Sequence, residues 1–427
     1  MAVGLALTGH LPDGERLSRT EARDWLARAA MWFEAVGDAV LDTRLVRDAD
    51  EKPILLAAFH PAAEPIELRL GASGKVRLAA TTSPAGPGYH AYLCRTLKLF
   101  ANDFGFTWDT PAPDLDPGRY FVVADATKLE THFDRWLSAR CAALLASGGP
   151  YWLGMPRQPA FLHPGPVLTP LGPKPLDWLR VVSADAACGR GFFPWWKPDL
   201  DAAFYRDRAL AELWLEFRGA APRTEAEGEQ IDQVAADLAN AFDLNPDLDL
   251  PWAAWADVIA AIEQDALGCT VEPVSAQLKA EVRRRAEGQP AEIGYRRHPV
   301  RVALSGHWHI TIPGRFAAAW DEDHRAWSAW DAGRSVWFRG THLSEEGPTP
   351  AVAFAAARRG LPPGDAVPAA GLMAATFGPH TDDGKSVWRL SGVAAAAGSL
   401  AACNIYFADP DDRAWAVGVW QSLGRDA

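Results

Sequence analysis

The stretch Thr81-Thr82-Ser83-Pro84-Ala85-Gly86-Pro87-Gly88-Tyr89-His90 decides how the first third of the chain is read. Before it, Ile66, Leu68 and Leu70 alternate with charged residues, Gly71-Ala72-Ser73-Gly74 supplies a turn, and Val76, Leu78 and Ala80 alternate back. That is the period of two of a hairpin. After it, Leu93, Leu97, Phe100 and Phe104 recur at helical spacing. The stretch is therefore a junction from strand to helix, and the surrounding region is α+β.

Working outward, Ser18 and Glu21 make a capping box for a helix over 18–41, with Trp25, Leu26, Ala29, Trp32, Phe33 and Val36 on its apolar face. Ile54–Phe59 and Tyr120–Ala124 read as strands, Leu129–Ala146 as a helix, and the first ten residues as an ordinary terminus without a secretory signal. Residues 1–149 thus form an α+β domain. Eight prolines between Pro150 and Pro175 forbid regular helix and mark a connector over 150–180. Residues 181–290 read as helical, with stripes at Phe204/Leu213/Phe217, Ile231/Val234/Leu238 and Trp255/Val258/Ile262. Residues 291–427 return to antiparallel sheet, with strands at Val300–Leu304, Trp308–Ile312, Arg334–Arg339, Val387–Leu390 and Leu400–Phe407, then a helix through Leu423.

At 427 residues, 48% hydrophobic and 22% charged, the chain is that of a globular multi-domain protein. No run approaches the roughly 20 apolar residues of a membrane span, so the expected location is the cytoplasm. Cys94, Cys141, Cys188, Cys269 and Cys403 are odd in number and far apart, neither a disulfide framework nor a CxxC site. The 19 tryptophans are scattered and read as core side chains. The acidic balance and the absence of a nucleic-acid motif argue against nucleic acid as a partner. No motif implies a cofactor.

Charge is distributed unevenly. Between Thr224 and Leu278 stand twelve carboxylates, among them Glu225, Glu229, Asp232, Asp237, Asp243 and Glu272, and no Lys or Arg. The whole net charge of −12 falls in this block, because the rest of the chain carries 42 acidic and 42 basic residues. A basic run follows, including Lys279, Arg283, Arg284 and Arg285. An acidic helical face of this kind suits a protein partner with a basic surface. The same pattern fits a solvated face countered within the fold by the arginines.

Three weaker patterns concern chemistry. The junction, with Ser83, Gly86, Gly88, Tyr89 and His90, precedes a helix whose free N–H groups would suit a small anion, although no lysine follows Gly88 as in a P-loop. The reading favoured for it is a rigid strand-to-helix turn. His307-Trp308-His309 is an HxH whose imidazoles, if on one strand, share a face and suit a metal ion, with Asp321, Glu322, Asp323 or His324 as further ligands. His309-Ile310-Thr311 and His342-Leu343-Ser344 match the H-x-[ST] pattern of two-histidine phosphoesterases, at a shorter separation than that family uses. No GxSxG, S-x-x-K or HExxH motif accompanies them.

One resemblance covers about 297–427. A strand ending Ile312-Pro313-Gly314, a Trp-rich hairpin, a late strand and a closing helix ending Trp420-Gln421-Ser422-Leu423 resemble PsbP-type α/β/α sandwiches. That resemblance implies an accessory or binding role without catalysis. The sequence thus points to a cytoplasmic binding protein that recognises a protein through its acidic helices. Its alternatives are a hydrolase using His307, His309 and His342, and an anion sensor at the junction.

Overall fold

The computed structural model describes residues 3–425 except 13–16, 38, 49, 150, 156–159, 272–273, 291, 345–346 and 383. Glu272 of the acidic run and Pro150, Pro156 and Pro159 of the connector lie outside the described residues. The chain is α+β throughout. It divides into two units, one of 1–158, 164–217 and 221–294, the other of 159–163, 218–220 and 295–427.

The first unit begins with Gly4–His10 (β1), Arg19–Val36 (α1), Asp42–Arg47 (β2), Pro53–Ala58 (β3), Ile66–Leu70 (β4), Lys75–Thr81 (β5), Pro87–Asp103 (α2) and Thr107–Trp108 (β6). The strands form one sheet in the order β2-β3-β4-β5-β1-β6, with every described pair antiparallel. Leu55, Leu68, Leu78 and Leu7 are consecutive partners across four strands. This buried row packs with Leu26 and Phe33 of α1 and Leu93, Leu97 and Phe100 of α2. The Ser18–Glu21 capping box forms as read, with Glu21 N–H donating to Ser18 Oγ at 3.2 Å and Ser18 N–H to Glu21 Oε2 at 2.7 Å.

Two elements differ from the sequence reading. Residues 4–10 form β1, an interior strand between β5 and β6, where no strand was expected. Its alternation runs through Gly, Ala and Thr, which carry little hydrophobic contrast. Tyr120–Val123 (α3) is one helical turn, not a strand, held between left-handed residues Arg119 and Ala124 with the Asp116 carboxylate accepting Phe121 N–H. Five residues are too few for periodicity to separate the two states.

Ala126–Ser147 (α4), the parallel pair Tyr151–Trp152 (β7) and Val167–Leu168 (β9), and Leu176–Ala184 (α5) follow in the same unit. Phe133, Leu137, Cys141, Leu179, Val182 and Phe192 form their core. Ala202–Leu215 (α6), Glu225–Leu244 (α7), Trp252–Glu263 (α8) and Ala276–Ala286 (α9) complete it around Leu213, Val234, Leu238, Trp255, Val258, Ile259 and Val282.

The second unit holds two antiparallel sheets. Ala160–Phe161 (β8), Val300–Ala303 (β10), Trp308–Ile312 (β11) and Gly424–Arg425 (β19) pair in the order β19-β11-β10-β8. Ala317–Asp321 (β12), Ala326–Trp330 (β13), Arg334–His342 (β14), Asp365–Val367 (β15), Met373–Asp382 (β16), Lys385–Ala396 (β17) and Ser399–Phe407 (β18) pair as β12-β13-β14-β18-β17-β16-β15. Pro350–Arg359 (α10) and Arg413–Gln421 (α11) are its helices. Trp420 of α11 is fully buried with Ile310, Phe338, Leu390 and Ile405, and Gly392 makes room for its ring.

Candidate functional site

The junction is closed by protein. Ser83, Gly86, Gly88, Tyr89 and His90 are all buried, and α2 already begins at Pro87. Trp195 N–H donates to Ala85 O at 2.9 Å and Gly88 N–H to Trp195 O at 3.0 Å, so the segment around Trp195 is laced along the junction. A Cβ on Gly86 would lie 2.7 Å from Trp195 O, and one on Gly88 would overlap the Lys197 backbone. The glycines thus admit another stretch of this chain, and the anion reading is corrected: the N–H of Gly88, which an anion would need, is spent on Trp195.

The acidic run is only partly a surface. Asp237 is buried, and this corrects its place among the partner-facing residues. Its carboxylate accepts two bonds from Arg208 of α6, at 2.7 and 2.5 Å, and one from Gln233 at 2.9 Å. Burial raises the Asp237 pKa, and the guanidinium bonds oppose the rise. Asp232 accepts Val271 N–H at 2.8 Å. Glu263 at the end of α8 pairs with Arg283 of α9. Glu225 lies in the first turn of α7, where a carboxylate suits the helix dipole. Glu225, Glu229 and Asp243 are exposed.

Glu229 faces a cleft of about 790 Å3. One wall is α6 and α7, with Arg208, Glu212, Glu216, Glu229, Gln233 and Asp237. The other is the end of α1, the start of β2 and the loop after β3, with Glu34, Asp42, Arg44, His60 and Glu64. Seven carboxylates face two arginines along it, and both arginines have carboxylate partners: Arg208 with Asp237, and Arg44 with Asp42 at 2.6 Å. The cleft therefore carries a net negative field, which low-dielectric walls concentrate.

His60 lines this cleft and is itself buried. Its Nδ1 accepts Ala62 N–H at 3.1 Å, which places the ring proton on Nε2, and among the described residues no group accepts from Nε2. Burial, helped by the charge of Arg208, holds its pKa down to about 3, so the ring is neutral.

The C-terminal histidines do not share a strand face. His307 ends a 3-10 turn over Ser305–His307 with φ of 63°, while His309 lies on β11. Gly306 at φ 73° and His307 turn the chain just before β11 begins at Trp308. His309 Nδ1 is 2.9 Å from an Arg301 nitrogen, and its ring packs on Gly424. Asp321 is engaged by His324, at 2.8 Å from its N–H and 3.0 Å from its ring. His342 ends β14, opposite Ser399 of β18. Among the described residues, no third donor joins His307 and His309 within reach of one metal ion.

Arg208, His60 and Glu64 were not legible as site residues. Only the charge of Glu229 and its neighbours signalled this region, and nothing in sequence links residues 34–64 to 208–237. No protein-family model matches the sequence, and no curated protein does. Among solved structures, the chain is similar to a crystal structure from Bacteroides thetaiotaomicron at 8% identity and a TM-score of 0.24, over 30% of this chain and 48% of that one. It is also similar to the solution structure of cyanobacterial PsbP from Synechocystis, at 10% identity and a TM-score of 0.19, over 30% of this chain and 91% of that one. The chain thus bears a faint resemblance to PsbP over less than a third of its length.

Proposed function

We propose that this is a non-enzymatic binding protein of the cytoplasm that takes a basic segment of a protein partner into its acidic cleft. The observation that carries the reading is the cleft itself, where Glu229 of the acidic helix meets Glu34, Glu64, Glu212 and Glu216 around an arginine already committed to Asp237. A Lys or Arg side chain entering there meets carboxylates on both walls. That no helix among the described residues is long and apolar enough to cross a membrane accords with this reading.

The test is fluorescence anisotropy with an arginine- and lysine-rich peptide and a neutral peptide of the same length. The basic peptide binds the wild type, more weakly as salt rises. The double variant Glu64→Lys/Glu229→Lys loses at least tenfold in affinity, while Glu225→Lys/Asp243→Lys, of equal net charge but outside the cleft, keeps it. Equal binding of both peptides, or equal loss in both variants, would overturn the cleft as the site.

A further inference from the structure

We propose that His90, Cys94 and Asp116 form a buried binding site for a zinc-class divalent cation. His90 and Cys94 stand at i and i+4 of α2 and so project from one face of the helix. Asp116 reaches them from the turn before α3. One donor atom from each residue lies within 4.8 Å of the others, and all three residues are buried. Imidazole, thiolate and carboxylate are the donor set that zinc takes.

Two details of the geometry favour a cation over a plain hydrogen-bonded cluster. His90 Nε2 and Asp116 Oδ1 are 3.4 Å apart. A charge-assisted N–H···O bond closes to about 2.7–2.9 Å, whereas two ligands on a tetrahedral zinc, at about 2.0–2.2 Å each, stand about 3.4 Å apart. The other ring nitrogen, Nδ1, is 3.2 Å from Thr82 Oγ1, which is in turn 3.4 Å from Val3 O. The tautomer with its proton on Nδ1, donating to Thr82 Oγ1, leaves Nε2 as a lone pair. This is the outer-shell support that metal-bound histidines have.

The charge argument agrees. Asp116 is 1% exposed, and among the described residues no Lys or Arg forms an ion pair with it, although Phe121 N–H donates to both of its oxygens. A buried carboxylate calls for a countercharge. Cys94 is buried beside this carboxylate. Uptake then breaks the S–H bond, sends that proton to solvent and forms the sulfur–metal bond. The cluster is too enclosed for a Cys–His–Asp nucleophile to meet a substrate, so the site is assigned to structure: the ion ties α2 to the turn that starts α3. It is independent of the acidic cleft.

Cobalt(II) tests this directly. Added to chelator-stripped wild type, it gives a near-ultraviolet thiolate-to-cobalt charge-transfer band that saturates at one equivalent and is displaced by zinc. The band is lost in Cys94→Ser and kept in Cys141→Ser, which removes another buried thiol. Zinc raises the melting temperature of the wild type but not of Asp116→Asn. A folded wild type with no such band overturns the proposal, whatever the variants do, and so does a band that survives in Cys94→Ser.

Discussion

Three buried side chains at the cleft carry the clearest consequences at the scale of the residue. Arg208 and Asp237 are 3% and 1% exposed and satisfy each other bidentately. Removing one partner strands the other charge away from water, so Asp237→Ala is expected to lose about 3–5 kcal/mol in urea denaturation. The double variant Arg208→Met/Asp237→Leu recovers most of that loss, because neither charge then remains. A loss in the double variant equal to the sum of the singles would contradict this account. His60 sets a pH dependence. Its unfolded imidazole takes a proton near 6.5, but the folded one only near 3. Between those values the unfolded chain binds more protons. The stability is therefore fully present above pH 6.5 and is lost as pH falls toward 3, at up to about 1.4 kcal/mol per unit. His60→Asn, which keeps an acceptor for Ala62 N–H, should flatten a stability series over that window by about one proton. Identical slopes in the two proteins would show that other groups govern it.

At the scale of the element, the entry to α2 shows why a Gly/Pro junction is ambiguous in sequence. Gly86 and Gly88 announce a close approach, and the approach is real, but the visitor is the segment around Trp195, more than a hundred residues later. Gly88→Ala should therefore cost about 1–3 kcal/mol by overpacking, read as a lowered melting temperature. Gly191→Ala, where an added Cβ meets nothing within 4 Å, should stay within about 0.5 kcal/mol of wild type. Equal effects at the two positions would remove the packing explanation. Elements with contrast in their own pattern were legible: the α1 capping box, the β4–β5 hairpin, and β11 at its observed bounds. β1 and α3 were not, the first because Gly, Ala and Thr blur its alternation, the second because one turn has no period.

At the scale of the molecule, composition located the charge but not its use. Asp237 and Glu229 are eight residues apart on α7, yet one neutralises a buried arginine and the other faces the cleft. That difference is set by α6 and by residues 34–64, which no local pattern brings to α7. The same limit hid the metal site: His90 and Cys94 show helical spacing in sequence, while Asp116 joins them only through the turn before α3.

The strand β8 has a practical consequence for dissecting the protein. Its two residues, Ala160 and Phe161, pair with Arg301 and Val300, Leu162 N–H donates to Pro299 O at 2.9 Å, and Phe161 stacks on Tyr295 at 5.2 Å. A fragment cut at Tyr295, the obvious place to isolate the C-terminal sheets, would leave β10 with unclaimed donors and acceptors along one side. Bare edges of this kind recruit other chains. Residues 295–427 expressed alone are therefore expected to self-associate in light scattering. Adding a peptide spanning 159–163 in excess, or fusing it ahead of Tyr295, should return the fragment to a monomer. A monomeric fragment without the peptide would show that β8 is dispensable for closing the sheet.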